Sequence, residues 1–286
     1  MLGVLLCESV GAPVKHEKTV QPTMCASLHG VEVDTVQQVV RLPQDKVAEL
    51  RHKLQSAANR KSLTLRELQS LLGSLNFACR AIVPGRVFLR RLVDLTRGVL
   101  RPDTRVRLDV EARKDIRAWL FFLDSYNGAT VFLLRQWSPS EAIQLVSDAS
   151  GFGYGVVFGR RWIQGLFPPS WRDVHISCKE ILPIMLAVRC WGPLLANSRV
   201  LFHCDNTAVV AVINAQSSRD STLMALLRKF VVACMIHNVQ FHAQHIPGKK
   251  NLLADFVSRF QIAEARAIHP QLNPEPERVE QDWLPW

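Results

Sequence analysis

Residues 45–54, DKVAELRHKL, set Val47, Leu50 and Leu54 at helical spacing behind Pro43 and predict an amphipathic helix. Just upstream, VEVDTVQQVVRL (31–42) alternates loosely between apolar and polar positions, the pattern of a strand pair. Thr64 followed by Glu67 forms a capping box ahead of LQSLLGSLNFACR, and Pro84 stands where a first helical turn accepts it before GRVFLRRLVDL. A fourth helix, roughly 109–125, carries Ile116, Trp119, Leu120 and Leu123 on one face. From residue 143 the period shortens. IQLVSD, GYGVVFG and RWIQG read as short strands parted by glycine turns, an antiparallel meander of three. A helix near 178–195, a strand over 199–205, helices over 206–214 and 220–237, the strand VQFHAQHI and a last helix from about 251 to 260 follow.

Three antiparallel strands and then alternating helix and strand predict a mixed α/β domain, a sheet flanked by helices, preceded by a mainly helical region. The chain divides into 1–42 with the short strand pair, a basic helical region over 43–138, the α/β domain over 139–262, and 263–286. That last stretch is rich in Pro and Glu and reads as a linker or disordered tail.

Charge sharpens the division. The 286 residues hold 35 Lys and Arg against 25 Asp and Glu, a formal net charge of +10, which favours a polyanionic partner. Between Arg41 and Arg117 stand 18 basic and 8 acidic residues, whereas 137–286 holds 14 and 12, so the positive field belongs to the first half. Arg86, Arg90, Arg91 and Arg97 are spaced to spread over an exposed helical face, either as phosphate contacts or as an ordinary solvated surface. The seven cysteines form no CxxC, and with no secretory leader they read as reduced thiols of an intracellular protein. No apolar run is long enough to cross a bilayer, so no membrane partner is expected.

The second half places four carboxylates at the ends of elements: Asp148 closing the first strand, Glu180 opening a helix, Asp205 closing the fourth strand and Asp255 in the last helix. Singly, each has an ordinary reading. Asp148 could start a turn, Asp205 followed by Asn206 and Thr207 could cap a helix, Glu180 could complete a capping box with Ser177, and Asp255 could be a solvated helix residue. If Ser177 caps that helix, Pro183 falls beyond its first turn and kinks it at a cost of roughly 3 kcal/mol; otherwise the helix begins nearer Glu180. Together the four read differently, because first and fourth strands that are neighbours bring the acids to one rim. Clustered carboxylates repel unless a cation lies between them, and hard oxygen ligands suit Mg²⁺ or Mn²⁺. Two such ions can activate a water and stabilise a leaving oxygen in phosphodiester cleavage. A zinc site from His175, Cys178, His203 and Cys204 is disfavoured, since neighbouring strand residues point to opposite faces.

SDAS (147–150), CKE (178–180), HCDN (203–206) and HIPGKKNLLADFVSR (245–259) together resemble type 1 ribonuclease H of the retroelement branch. Upstream, GVEVDT, VRLPQDKVAELR and TLRELQSLLGSLNFACRAIVPGRVFLRRLVDLT are similar to the thumb and connection of DIRS-like retrotransposon reverse transcriptases. The resemblance implies an RNase H-like fold that cuts the RNA strand of an RNA·DNA hybrid with two divalent ions, Mg²⁺ or alternatively Mn²⁺. It makes Asp148, Glu180, Asp205 and Asp255 the metal ligands and His245 a mobile residue that assists proton transfer or product release. Asn206 becomes either a contact to the substrate backbone or a helix cap. No YxDD pair of polymerase aspartates is present, and LCESVGAPVKHEKT reads as the end of a palm domain. Two other readings stand beside this one. A catalytically inactive nucleic-acid-binding remnant would keep the basic helices without the chemistry, and a DDE-type transposase is disfavoured by the HxPGxxNxxAD run.

Overall fold

The computed structural model describes residues 2–15, 21–125, 130–131, 138–139 and 145–280. After a short helix α1 (Leu2–Ser9), strands β1 (Cys25–Leu28), β2 (Val31–Asp34) and β3 (Val39–Arg41) form an antiparallel sheet. His29 and Gly30, both at positive φ, make the two-residue turn between β1 and β2. Next come α2 (Gln44–Ala58), β4 (Ser62–Thr64), α3 (Leu65–Ala78), a 3-10 turn (Val83–Phe88), α4 (Arg90–Asp94), β5 (Arg105–Arg107) and α5 (Val110–Ser125). Their apolar faces meet as the spacing predicts. Val47, Leu50 and Leu54 of α2 are buried, as are Ile116, Trp119 and Leu123 of α5, with Leu120 half-buried beside them. Thr64 and Glu67 make the reciprocal capping box at the start of α3. Two short strands, β6 (Thr130–Val131) and β7 (Ser138–Pro139), lead toward the second half, and β6 returns to pair with β3.

The second half is the expected mixed α/β arrangement. Strands β8 (Leu145–Ala149), β9 (Gly153–Phe158) and β10 (Arg161–Leu166) form the antiparallel meander. Then follow α6 (Ile176–Trp191), β11 (Arg199–Cys204), α7 (Thr207–Ala215), α8 (Ser221–Ile236), β12 (Gln240–His245), α9 (Leu252–Ser258) and α10 (Ile262–Ile268). Parallel ladders join β11 to β12 on one side and to β7 on the other, and β8 packs alongside β11. The first and fourth strands of this half are therefore neighbours. α6 lies on β8 and β9 and packs against α8, burying Ile181, Leu182, Met185 and Trp191.

Two local expectations need correction. The cap of α6 is His175, whose Nδ1 accepts from the Ser177 N–H at 3.2 Å, so Ser177 and Glu180 form no capping box there. The helix starts ahead of Ser177 and continues through Pro183, which is buried among apolar neighbours that hold the turn in place of the missing N–H. The stretch expected to be a disordered tail is packed over 263–280, beginning with most of α10. Leu272 is 5% exposed, the Trp162 indole donates to the Asn273 carbonyl at 2.9 Å, and the Trp191 indole donates to Glu277 Oε2 at 2.9 Å. A composition rich in Pro and Glu concealed contacts that depend on two tryptophans far back in the chain. Residues 281–286 lie outside the described residues.

Candidate active site

Asp148 is the penultimate residue of β8, where the strand's alternation turns it inward, and it is 5% exposed. Its strand partner across the ladder is Gly155. Glycine is required there because α9 lies directly on the strand: a Cβ at Gly155 would come within 2.5 Å of the Ser258 nitrogen. Ser258 Oγ then reaches Asp148 Oδ2 at 2.7 Å as a donor. Glu180, in the second turn of α6 and 7% exposed, accepts a hydrogen bond from the Ala149 N–H, so the helix and the strand end are tied through the acid itself. Asp205 follows the last residue of β11 and is half-buried. Asp255, in the first turn of α9, is held by Arg259 Nε at 2.7 Å.

Four separate stretches thus bring four carboxylates within electrostatic reach of one another. Burial pushes the Asp148 carboxyl up to about 6, with Asp205 and Asp255 adding to the rise and the Ser258 hydroxyl opposing it. Glu180 is pushed further, to about 9, again by burial first and then by Asp148 and Asp205. Ligand atoms of Glu180, Cys204 and Asp205 lie within 4.8 Å of one another. Cys204 adds no thiolate to this group, because burial raises its thiol to about 12. Its sulfur instead accepts from the Asn206 N–H at 3.4 Å. The donor set is one of hard oxygens, which fits Mg²⁺ or Mn²⁺ and does not fit a thiophilic ion.

His245 ends β12, exposed, in parallel register with Cys204 and so one position from Asp205. The Pro247–Gly248 turn closes on the same carboxylate, since a Cβ at Gly248 would sit 3.2 Å from Asp205 Oδ2. Lys249 and Lys250 are exposed on that turn.

Other expected residues lie elsewhere. The Asn206 side chain caps α7, its Oδ1 accepting from Ala208 and Val209 N–H at 3.0 and 3.2 Å, which is the capping alternative for this residue. Arg86, Arg90, Arg91 and Arg97 do not share one helical face, because the backbone runs through a 3-10 turn and a five-residue α4. Arg90 and Arg97 both pair with Asp94 at 3.2 Å, and Arg91 is engaged by Glu111 and Asp115, while Arg86 is exposed.

Three contributors were not singled out from the sequence. Ser258 and Asn251 act through packing of α9 on β8. Lys179, buried beside Glu180, donates to the Gly151 and Arg172 carbonyls at 3.0 and 3.1 Å, and so pins the loop that follows Asp148. The only sequence signal for them was membership in the CKE and NLLADFVSR runs.

No family model matches the chain. It is similar to the enzymatic polyprotein of Carnation etched ring virus, 23% identical over 260 residues that cover 88% of this chain and 37% of that protein. A second relative, the enzymatic polyprotein of Cauliflower mosaic virus (strain CM-1841), is 28% identical over 99 residues, 35% of this chain and 14% of that protein. Among solved structures, the foamy viral protease-reverse transcriptase in complex with RNA/DNA hybrid matches at 13% identity over 93% of this chain and 32% of its own, with a TM-score of 0.31. LC11-RNase H1 in complex with RNA/DNA hybrid matches at 18% identity over 42% of this chain and 95% of its own, with a TM-score of 0.35. Over most of its length the chain is therefore similar in sequence to a viral enzymatic polyprotein, of which it spans about a third.

Proposed function

We propose that this chain is a retroelement-derived ribonuclease H, a metal-dependent endonuclease that cuts the RNA strand of RNA·DNA hybrids. The observation that carries the reading is the convergence of Asp148, Glu180, Asp205 and Asp255 from β8, α6, the end of β11 and α9, with two of them driven far above the ordinary carboxylate range. Such an arrangement is costly without a cation and favourable with one. The four acids would hold two Mg²⁺ ions, with Mn²⁺ able to substitute. When bound, these ions supply a water activated at neutral pH and charge neutralisation at the leaving oxygen.

The chain's own residues do the rest. Arg259 fixes the Asp255 carboxylate, and Lys179 holds the Gly151 loop so that the strand end keeps its place. His245, exposed one register position from Asp205, would pass a proton to the departing oxygen or help product leave. Lys249 and Lys250, beside Asp205, draw the phosphate backbone toward the acids, and the basic first half extends that field. Arg86 and the surface pairs Arg90–Asp94 and Arg97–Asp94 remain able to meet phosphates, since exposed ion pairs exchange partners at little cost. Arg91 is half-buried and held by Glu111 and the buried Asp115. Among the described residues no helix is long and apolar enough to cross a membrane. The DIRS-like origin rests on the sequence resemblance, and no polymerase chemistry is assigned to a chain without a YxDD run.

The test is cleavage of a hybrid labelled on its RNA strand, in Mg²⁺ and in Mn²⁺, by the intact chain and by Asp205→Asn. Metal-dependent cutting that falls at least about a hundredfold in the variant is expected. Binding of hybrid without cutting in either metal would overturn the enzymatic reading in favour of an inactive nucleic-acid-binding remnant.

A further inference from the structure

The run HIPGKKNLLADFVSR supplies His245 and Asp255 to the proposed site, yet two of its other polar residues turn inward. Asn251 is 3% exposed, and its Nδ2 donates to the Ser147 carbonyl at 2.8 Å. Ser258 is fully buried where α9 lies on Gly153 and Gly155 of β9. Its carbonyl accepts from Ser150 Oγ at 3.1 Å. Its own hydroxyl has two acceptors in reach, Asp148 Oδ2 at 2.7 Å and the Asp255 carbonyl at 2.9 Å. A hydroxyl carries one proton, and a carboxylate oxygen is the stronger acceptor. α9 is therefore bolted to β8 at both ends, through Asn251 on the backbone of Ser147 and through Ser258 on the side chain of Asp148.

A carboxylate held at one oxygen loses its freedom to turn about χ2 and presents the other oxygen in a single direction. Mg²⁺ demands near-ideal octahedral geometry, so a fixed ligand matters more to it than to a looser ion. Building on the ribonuclease reading, we propose that Ser258 is a positioning residue for the metal centre: it anchors Asp148 Oδ2 and leaves Oδ1 as the oxygen that receives a small, hard divalent cation. Arg259 does the same for Asp255 through Oδ1. The serine and arginine of the DFVSR run thereby act on two different acids of the rim. Hydrogen bonds of this kind to a ligand are worth about 10–100-fold in metal affinity.

The experiment measures Mn²⁺ binding to the full chain by the electron paramagnetic resonance of the free ion, without nucleic acid, for the unsubstituted protein, Ser258→Ala and Asp148→Asn. Ser258→Ala is expected to weaken Mn²⁺ binding at least about tenfold while near-ultraviolet circular dichroism shows the fold retained. Unchanged affinity, or no Mn²⁺ binding by the unsubstituted protein, overturns the proposal. A merely structural role would reduce the fraction of competent molecules and leave the dissociation constant of the remainder unaltered, which also overturns it. If Ser258→Ala does not fold, Ser258→Cys, close in volume and a weaker donor, carries the same comparison with the same criteria. Hybrid cleavage run in parallel separates the two readings: a chain that binds Mn²⁺ in a Ser258-dependent way but leaves hybrid uncut sinks the ribonuclease function and not the positioning role.

Discussion

Glu180 is a carboxyl kept out of water beside Asp148 and Asp205, and its proton is held to about pH 9. A folded-state pKa raised above the unfolded one gives stability that is complete below the unfolded value and lost as pH climbs through the folded value. For Glu180 that window runs from the ordinary glutamate range near 4.5 up to about 9. Glu180→Gln removes the titration while keeping the shape. In EDTA at pH 8 the variant is expected to melt about 4 °C above the unsubstituted protein, the gap closing as pH falls to the ordinary glutamate range. Saturating Mg²⁺ should shrink or reverse the gap, because the cation stabilises only the protein that still has the ligand. A differential scanning series over pH with and without Mg²⁺ checks both. The four candidate acids stand out in the sequence because each ends a strand or sits near a helix start in a recognisable run. Ser258, Asn251 and Lys179 were not, since their partners Asp148, Ser147 and Gly151 come from a loop and strand that only folding brings beside them.

Elements followed the apolar period closely wherever one face meets a core, and departed from it where a polar contact decided. The meander β8–β9–β10, the parallel pair β11 and β12, and helices α2, α3, α5, α8 and α9 all lie within a few residues of the stretches that predicted them. The run after Pro84 did not become one helix; Phe88, Leu89 and Leu92 are buried over a 3-10 turn and a short α4, with Gly85 so close under Trp119 that a Cβ would lie 2.4 Å from the ring. Composition failed most clearly at the C-terminal stretch. Its Asn273 and Glu277 N–H groups bond the Arg160 and Trp162 carbonyls at 2.8 Å each, so the segment clips to β10 by its backbone, to which composition is blind. Leu272 is the apolar anchor of that clip, packed with Trp162, Val157 and Val257. Leu272→Ala is expected to cost about 2 kcal/mol in urea unfolding. A disordered tail would show no change, and because Val257 neighbours Ser258 the same substitution should slightly loosen Mn²⁺ binding.

At the scale of the whole molecule, the helical half and the α/β half share one apolar core, and a buried ion-pair cluster also crosses between them. Asp115 of α5, 1% exposed, meets Arg91 of α4 at 3.2 Å and Arg228 of α8 at 3.4 Å, and the Arg228 guanidinium also lies over the Phe88 ring, 5.9 Å from its centroid. Arg228 is 8% exposed and engaged by Asp115 of the other half of the chain. Burial raises the Asp115 carboxyl to about 6 even against the pull of Arg228 and Arg91, and burial lowers Arg228 as well. Two desolvated partners balanced this narrowly are a weak source of net stability and a strong source of penalty when one is removed. Arg228→Met should therefore cost about 3 kcal/mol by leaving Asp115 with Arg91 alone. Because the variant pushes the folded Asp115 pKa higher still, the loss grows as pH rises from the ordinary aspartate range through about 6 and beyond. Asp115→Leu combined with Arg228→Met should recover most of it, since the pair is then replaced by apolar volume. Urea unfolding at pH 5 and pH 8, read by tryptophan fluorescence, makes the comparison, with Trp119 reporting from the helical half and Trp162 and Trp191 from the other. If Arg228 ties the halves into one cooperative unit, the unsubstituted protein unfolds in a single transition and Arg228→Met separates it into two; a single transition in both, with equal midpoints, would show that the cluster couples nothing.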